Sequence, residues 1–234
     1  MSKRAIILAG GKGTRLKPYT VAIPKPLMPV GDKPILEIII LQLKKHGFNH
    51  ITITVNHMAE IIKAFFGDGN KWDIRIDYTS ESKALSTMGP LTLVEDLPEN
   101  FLVMNGDVIT DLNLSEFYHF HVNNKNNFTI GSIKRTDRIN YGVLKKDENN
   151  KLIKFNEKPF YEFLVSMGIY MVNKKVVDYI PKDKFFGFDH LMNLLIEKYE
   201  YPSIFEYNGY WLDIGRPDDY EKAVNEIDKI ISLQ

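Results

Sequence analysis

The chain of 234 residues contains no cysteine, which removes disulfides, thiolate metal sites and cysteine nucleophiles together. It also lacks a charge excess. Thirty Lys and Arg stand against thirty Asp and Glu, leaving no net positive charge to hold a polyanion through counterion release, which argues against a nucleic-acid partner. Long apolar runs are missing as well: the stretch 35–43 is broken by Glu37 and Gln42 and falls short of the roughly 20 residues that span a bilayer. No membrane span is expected. No apolar segment of secretory type follows Met1, so the expected location is cytoplasmic. What remains is 44% hydrophobic, 26% charged and 12% aromatic, the profile of a folded protein rather than a disordered or fibrous one. At about 100–200 residues per domain, one domain over residues 1–234 is the expectation.

Runs rich in Ile, Val and Tyr alternate with helix-like stretches from the N-terminus, which predicts an α/β fold with a mixed, mainly parallel sheet flanked by helices. Strands are predicted at 5–9, 51–55, 74–78 and 101–104, with helices at 34–46, 58–66 and from near Gly89. From about Phe128 strands crowd together, at 129–134, 142–145, 152–156 and 164–171, and the second half reads as more antiparallel. A helix at 188–198, strands at 203–207 and 210–212, and a last helix from Pro217 towards Ile231 complete the pattern. Residues 1–125 read as the mainly nucleotide-binding half, and 126–234 as the half for a second ligand.

The segment Leu8-Ala9-Gly10-Gly11-Lys12-Gly13-Thr14-Arg15-Leu16 follows the first strand, where open α/β sheets bind ligands beyond the strand ends. Its glycines let backbone N–H groups approach an anion closely, although a tight turn without a ligand would use them equally well. A dinucleotide fingerprint needs glycine where Leu16 stands, and a phosphate-binding Walker loop needs Lys-Ser or Lys-Thr where Thr14-Arg15 stands. Arg15 offers a planar fork for bidentate phosphate contact, and Lys25 sits between Pro24 and Pro26 on a stiffened segment that aims its ammonium at low entropic cost. Asp107, after the strand 101–104 and Asn105-Gly106, and Asp213, after Trp211-Leu212, are each by themselves as good a turn former as a metal ligand. Together with phosphate oxygens they would make the oxygen shell that Mg²⁺ prefers.

The run Gly10-Gly11-Lys12-Gly13-Thr14-Arg15-Leu16-Lys17-Pro18-Tyr19-Thr20, followed by Pro24-Lys25-Pro26, resembles the signature of the sugar-1-phosphate nucleotidylyltransferases. Later motifs keep the family's order: Asn105-Gly106-Asp107, Tyr141-Gly142-Val143, Glu157-Lys158-Pro159, Gly168-Ile169-Tyr170 and Trp211-Leu212-Asp213-Ile214-Gly215. The resemblance implies a Rossmann-like fold of the nucleotide-diphospho-sugar transferase type and a reaction between a nucleoside triphosphate and a sugar 1-phosphate, giving an NDP-sugar and pyrophosphate. It implies that Arg15, Lys25 and Asp107 are catalytic and that Asp107 and Asp213 hold Mg²⁺. Nucleotide binding then falls to Leu8, Ala9, Gly10, Gly11, Gly13, Thr14, Arg15, Glu81 and Gly89, and sugar-phosphate binding to Asn105, Gly142, Glu157, Lys158 and Gly168.

Several features depart from that pattern or stand outside it. Leu85-Ser86-Thr87-Met88-Gly89 replaces the family's common Leu-Gly-Thr-Ala-Gly, and the larger Ser86 and Met88 are expected to narrow the pocket. Glu81 would suit the N–H groups of guanine, which makes GTP with a hexose or heptose 1-phosphate the first choice. Thymidylyl, cytidylyl or uridylyl transfer to glucose 1-phosphate or an amino sugar is the alternative, and a non-catalytic nucleotide-sugar-binding subunit is the rival of a different class. His119 and His121 stand two apart, a spacing that would not share a face on a helix, and are expected to be structural. The chain ends one helix after Gly215, which predicts a short form without an appended β-helix domain. Ala223, Ile227, Ile230 and Ile231 suit the core or a second copy in a homodimer equally.

Overall fold

The structure, a computed structural model, describes residues 3–226. Its first unit is β1 (Lys3–Leu8), a loop with three short 3-10 turns, and a small hairpin of β2 (Pro29–Val30) and β3 (Lys33–Pro34) that feeds α1 (Ile35–Lys45). β4 (Phe48–Val55), α2 (Ala59–Phe66) and β5 (Arg75–Ser80) follow, then β6 (Asn100–Asn105), β7 (Val108–Thr110) and α3 (Leu114–Asn123). The second half holds β8 (Phe128–Arg138), the hairpin of β9 (Val143–Lys146) and β10 (Leu152–Asn156), and the long β11 (Phe160–Asn173). It closes with α4 (Phe188–Glu197), β12 (Ser203–Tyr207), β13 (Trp211–Asp213) and α5 (Pro217–Asn225).

Seven strands form one sheet in the order β12-β8-β11-β6-β1-β4-β5. β11 runs antiparallel to both neighbours, and the remaining pairs are parallel. β1 lies between β4 and β6, so the chain winds outward from it in both directions, and the carboxyl end of β1 becomes the crevice where such sheets take ligands. Period-2 alternation sends Ala5, Ile7, Leu102 and Met104 to one face, under α1, α2, α3 and α5. Ile6, Phe101 and Val103 go to the other face, under Leu191 and Leu195 of α4.

The α/β class and the mainly parallel sheet agree with the sequence reading, as does the more antiparallel second half, with two corrections. The helix expected from Gly89 is only a five-residue 3-10 turn, Gly89–Leu93, with Pro90 at its start. The second half is the more antiparallel one, as expected: β11 runs against β8 and β6 and β9 against β10, while β12 pairs parallel with β8. α3 was not anticipated; Asn113 caps it by accepting from the amides of Ser115 and Glu116, both at 3.1 Å. On this helix His121 is fully buried, its Nδ1 2.8 Å from Thr129 Oγ1 and its Nε2 3.1 Å from Asn100 Oδ1, a structural role. Ala223 of α5 packs into the core, whereas Ile227, Ile230 and Ile231 lie outside the described residues. Among the described residues no helix is long and apolar enough to cross a membrane.

Candidate active site

The loop after β1 is tied at its stem on both sides: the Ala9 amide donates to Thr54 O of β4 at 3.0 Å, and the Gly106 amide to Leu8 O at 2.9 Å. Gly13 sits at φ 61, and a Cβ there would come 2.9 Å from Thr20 Cγ2, so this position needs glycine for both conformation and space. The Thr20 hydroxyl fastens the turn by donating to Gly13 O at 2.8 Å. In the next 3-10 turn, Thr14–Leu16, Leu16 is fully buried while Arg15 is exposed, which leaves its guanidinium on the site side beside Gly215.

Lys25 opens another 3-10 turn behind Pro24, with Pro26 buried, and its ammonium donates to Asp107 Oδ2. The side chains of this pair are only 12% and 22% exposed. Asp107 falls between β6 and β7; Asp213 is the last residue of β13, whose antiparallel register places it opposite Val108 of β7. The Asp107 carbonyl accepts the Ile214 amide at 3.0 Å, so the two aspartates are held near one another by backbone. Burial, and then the neighbouring Asp107 charge, push the Asp213 carboxyl above its ordinary range, while Lys25 and Arg15 pull it back in part. Asp107 Oδ1 is buried with no hydrogen-bond partner. Two anionic groups with an unsatisfied oxygen between them and only oxygen donors on offer fit a hard divalent cation completed by phosphate and water.

Two cavities meet at this point. One, of about 190 Å³, is lined by Gly11, Gly13, Thr14, Arg15, Lys25 and Asp107, with Leu8, Ala9, Pro26, Gly106 and Gly215 completing it. The other, of about 420 Å³, shares Leu8, Gly11 and Asp107 with the first and continues past Gly10, Asn56, Glu81, Ser86, Thr87 and Asn105 to Phe185 at its mouth. Every lining residue of both except Phe185 and Gly215 comes from the first 125 residues.

The remaining residues named from sequence are distributed unevenly. Glu81 lines the larger cavity, yet its Oε2 accepts the Leu85 amide at 2.9 Å and burial raises its pKa. Asn105 reaches the cavity with a buried, unpartnered Oδ1, and Gly168 packs against its amide. Gly168, at φ 73, lies where the register of β11 shifts, a bulge level with the carboxyl end of β6. Gly89 lines neither cavity; it is buried, and its amide donates to Phe186 O at 2.9 Å. Met88 is likewise buried in the core, so it does not narrow the pocket, whereas Ser86 does line it, at φ 66. Gly142 and Glu157 are neighbours around the Phe155 ring; with the exposed Lys158 they lie on the β9–β10 arm and line neither cavity. Sequence reasoning missed Thr54 and Asn56 at the end of β4. The available signal was that the strand after a crossover from β1 ends beside it.

A small hollow under a glycine loop, flanked by Arg15, Lys25 and a carboxylate pair, thus lies at the switch point of an α/β sheet, the place where such folds take ligands. The chain belongs to the nucleotidyl transferase family, whose model matches residues 4–230. It is 33% identical over 96% of its length to a UTP–glucose-1-phosphate uridylyltransferase of Synechocystis sp., and 35% identical over 93% to a probable mannose-1-phosphate guanylyltransferase 1 of Oryza sativa subsp. japonica. The chain spans only 63% and 62% of the length of those relatives. Among solved structures, it is similar to a putative glucose-1-phosphate thymidylyltransferase from Bacillus anthracis, with TM-score 0.79, 26% identity and coverage of 97% and 95% of the two chains. HddC from Yersinia pseudotuberculosis complexed with GMP-PN superposes with TM-score 0.74 at 27% identity, covering 96% of this chain and 99% of that one.

Proposed function

We propose that this protein transfers a nucleotidyl group from a nucleoside triphosphate to a sugar 1-phosphate. An oxygen of the sugar phosphate attacks the α-phosphorus, the bond from that phosphorus to the α–β bridging oxygen breaks, and pyrophosphate leaves with the electron pair. The observation that carries this reading is the continuity of the two cavities: one has the volume for a nucleoside, the other is lined by the glycine loop, Arg15 and Lys25, and Asp107 lies at their junction. No protein nucleophile is required. Both reactants are anions, so the chain's own work is to align them and offset their repulsion, which suits the presence of Arg15 and Lys25 together on the smaller cavity.

Asp107 and Asp213 are the residues that would hold a divalent cation, which we take to be Mg²⁺. When bound, such an ion draws charge from the α-phosphate and the incoming phosphate. Lys25 fixes the orientation of Asp107 and presents a positive charge to the α-phosphate. Asn105, with its free Oδ1, and the bulge at Gly168 face the acceptor side, and we assign sugar-phosphate contacts to them together with Gly142, Glu157 and Lys158. Residues 1–125 act as the nucleotide half and 126–234 as the acceptor half of one domain.

GTP with a hexose or heptose 1-phosphate is the pair to test first, because several curated relatives at 33–35% identity are named as mannose-1-phosphate guanylyltransferases. Glucose 1-phosphate with UTP or dTTP is the second reading, favoured by the names of the uridylyl and thymidylyl relatives. Retention of Arg15, Lys25, Asp107, Lys158 and Asp213 together argues against a non-catalytic subunit. The test crosses five nucleoside triphosphates with mannose, glucose, glucosamine and heptose 1-phosphates in Mg²⁺ and follows pyrophosphate release. Release that depends on one pair and is lost in Lys25→Ala supports the reading; silence across the grid with an NDP-sugar still bound refutes catalysis.

A further inference from the structure

Three phenylalanines, Phe185, Phe186 and Phe188, stand at the entry to α4, and the fold treats them differently. Phe186 and Phe188 pack against the core cluster that holds Leu191 and Leu195, whereas Phe185 is left 64% exposed on the wall of the 420 Å³ cavity. Among the described residues it is the only one of the second half that lines this cavity.

Backbone bonds fix the segment that carries it. The Phe186 amide donates to Leu85 O at 2.9 Å, and Phe186 O accepts the amides of Met88 at 3.0 Å and Gly89 at 2.9 Å. The Phe188 amide donates to Thr87 Oγ1 at 2.9 Å. Residues 186–188 are thereby zipped to 85–89, the stretch whose Ser86 and Thr87 line the same cavity. The seam is tight: a Cβ at Gly187 would lie 3.1 Å from Ser86 Oγ, so the larger side chain at 86 is accommodated by the missing one at 187. On the α4 side the His190 ring, whose Nδ1 accepts the Gly187 amide at 3.0 Å, stands edge-on to Phe185 at 6.2 Å between centroids.

An apolar ring facing a cavity gains free energy when a ligand takes it out of water. Of the groups that a nucleoside triphosphate and a sugar 1-phosphate carry, only the nucleobase has a flat π-face to match it. The same cavity offers a partner for the edge of a base. Glu81 spends Oε2 on the Leu85 amide, while its Oε1, with no internal partner, overhangs Gly10, where a Cβ would approach it to 2.6 Å.

We propose that Phe185 is a specificity-determining residue for the nucleotide: its ring is the platform on which the base stacks, held at the nucleoside cavity by the seam between 85–89 and 186–188. The proposal rests on the nucleotidyl-transfer reading and deepens it at a residue outside every motif recognised in the sequence. Purines, with the larger π-face, gain more from the ring than pyrimidines.

Phe185→Leu removes the π-face and keeps an apolar side chain; Phe185→Tyr keeps the ring. The full chain is titrated calorimetrically with GTP, ATP, UTP, CTP and dTTP in Mg²⁺, without acceptor. For the nucleotide that the parent binds best, affinity should be about tenfold weaker in Phe185→Leu and within about twofold of the parent in Phe185→Tyr, the loss expected for one stacked base. Inorganic tripolyphosphate, which has no base, should bind all three proteins equally. In turnover the KM for the nucleotide should rise by a similar factor, while kcat and the KM for the sugar 1-phosphate move less than about twofold.

Equal nucleotide affinity in the parent and Phe185→Leu overturns the proposal. So does a matching loss for tripolyphosphate or in Phe185→Tyr, either of which would make the residue a support for the wall and not a platform. A raised KM for the sugar 1-phosphate with the nucleotide unaffected also overturns it and gives the ring to the acceptor. If Phe185→Leu fails to fold in a thermal melt, Phe185→Trp supplies the readout: saturating nucleotide should quench its emission beyond the change in the parent, whose tryptophans are Trp72 and Trp211, and no added quenching overturns the proposal. Ring-dependent nucleotide binding in a protein inactive on every substrate pair would sustain the platform and sink nucleotidyl transfer, so the two failures are separable.

Discussion

Replacing Asp107 by Asn keeps the size of the side chain and the backbone carbonyl that accepts the Ile214 amide, but removes one of the two negative charges at the centre of the site. Only one internal contact of the side chain changes, because Oδ1 has no partner and Oδ2 is engaged with Lys25. For a pair this shielded, an effective dielectric near 20 and a separation of roughly 4 Å give a gross attraction of about 4 kcal/mol. Most of it is offset in folding: Lys25 regains hydration or a weaker bond to the amide, and Asp213 loses the like charge that pushes its pKa up. The net stability change should stay within about 1 kcal/mol, a shift of only a few degrees in Tm for a chain of this size. Turnover has no such offset, since the same oxygens are needed for the cation and for placing Lys25. Loss of a comparably placed electrostatic group costs on the order of 10²–10³ in rate, about 2.7–4 kcal/mol. Pyrophosphate release at saturating substrates, measured along a Mg²⁺ titration beside thermal unfolding, separates the two quantities. A near-parental rate at saturating Mg²⁺ refutes the metal role, and an unfolded variant refutes the reading of Asp107 as functional rather than structural.

Gly168→Ala forces a side chain at φ 73 to within 2.6 Å of Asn105 Nδ2, so it should cost about 1–3 kcal/mol and raise the KM for the sugar phosphate as Asn105 is displaced; unchanged kinetics would remove both residues from the acceptor side. His121 titrates in the folded protein at about 4 instead of 6.5, because burial disfavours its charged form. The unfolded chain therefore binds the proton first, and stability that is complete above pH 6.5 should fall by up to roughly 3 kcal/mol as pH drops towards 4. Urea unfolding across that window, with His121→Phe as the variant lacking this slope, checks it, and identical slopes would contradict it. Arg4, 6% exposed, donates to Thr52 Oγ1 and to the carbonyls of Glu95 and Asp96 at 2.8–3.1 Å, so Arg4→Met should lower stability by about 2–4 kcal/mol in a denaturant titration without changing the pH dependence set by His121. A loss under about 1 kcal/mol would show that the loop carrying those carbonyls re-pairs with water.

The strands around β1 and the helices α1, α2 and α4 were legible because their apolar periods are long and uninterrupted, and Pro34 and Gly47 punctuate α1 at both ends. α3 was harder to see: its buried face includes His121, a polar side chain that counts against an apolar stripe until Thr129 and Asn100 are known to satisfy it. The segment after Gly89 carries enough apolar residues for a helix, yet Leu91 and Val94 are used to cap the sheet in a single tight turn. At the site, the loop geometry of Gly13 and Arg15 could be reasoned from local sequence alone. The Lys25–Asp107 bond spans 82 positions, and no local pattern reveals it. Nor could residue size show that Met88 turns into the core while Ser86 turns towards the cavity, since that depends on the left-handed backbone at Ser86.

What keeps two carboxylates close before any ligand arrives is the frame behind them. Asp107 and Asp213 stand together at one end of a three-residue ladder between β7 and β13, and that ladder is pinned at several points by hydrogen bonds. Gln42 of α1, 5% exposed, donates to Thr110 O at 2.7 Å and to Leu112 O at 3.3 Å; Thr110 Oγ1 donates to Tyr210 O at 2.7 Å; the Trp211 indole is held by Met167 O at the β11 bulge. None of these residues lines either of the two cavities that meet at Asp107. Their bonds offset the like-charge repulsion in the folded state, so the oxygens are positioned by the fold and not by the ion or substrate they would meet. A site ordered in this way spends little binding energy on reorganisation, and the electrostatic work of Arg15, Lys25 and the aspartate pair is then available to the reacting phosphates.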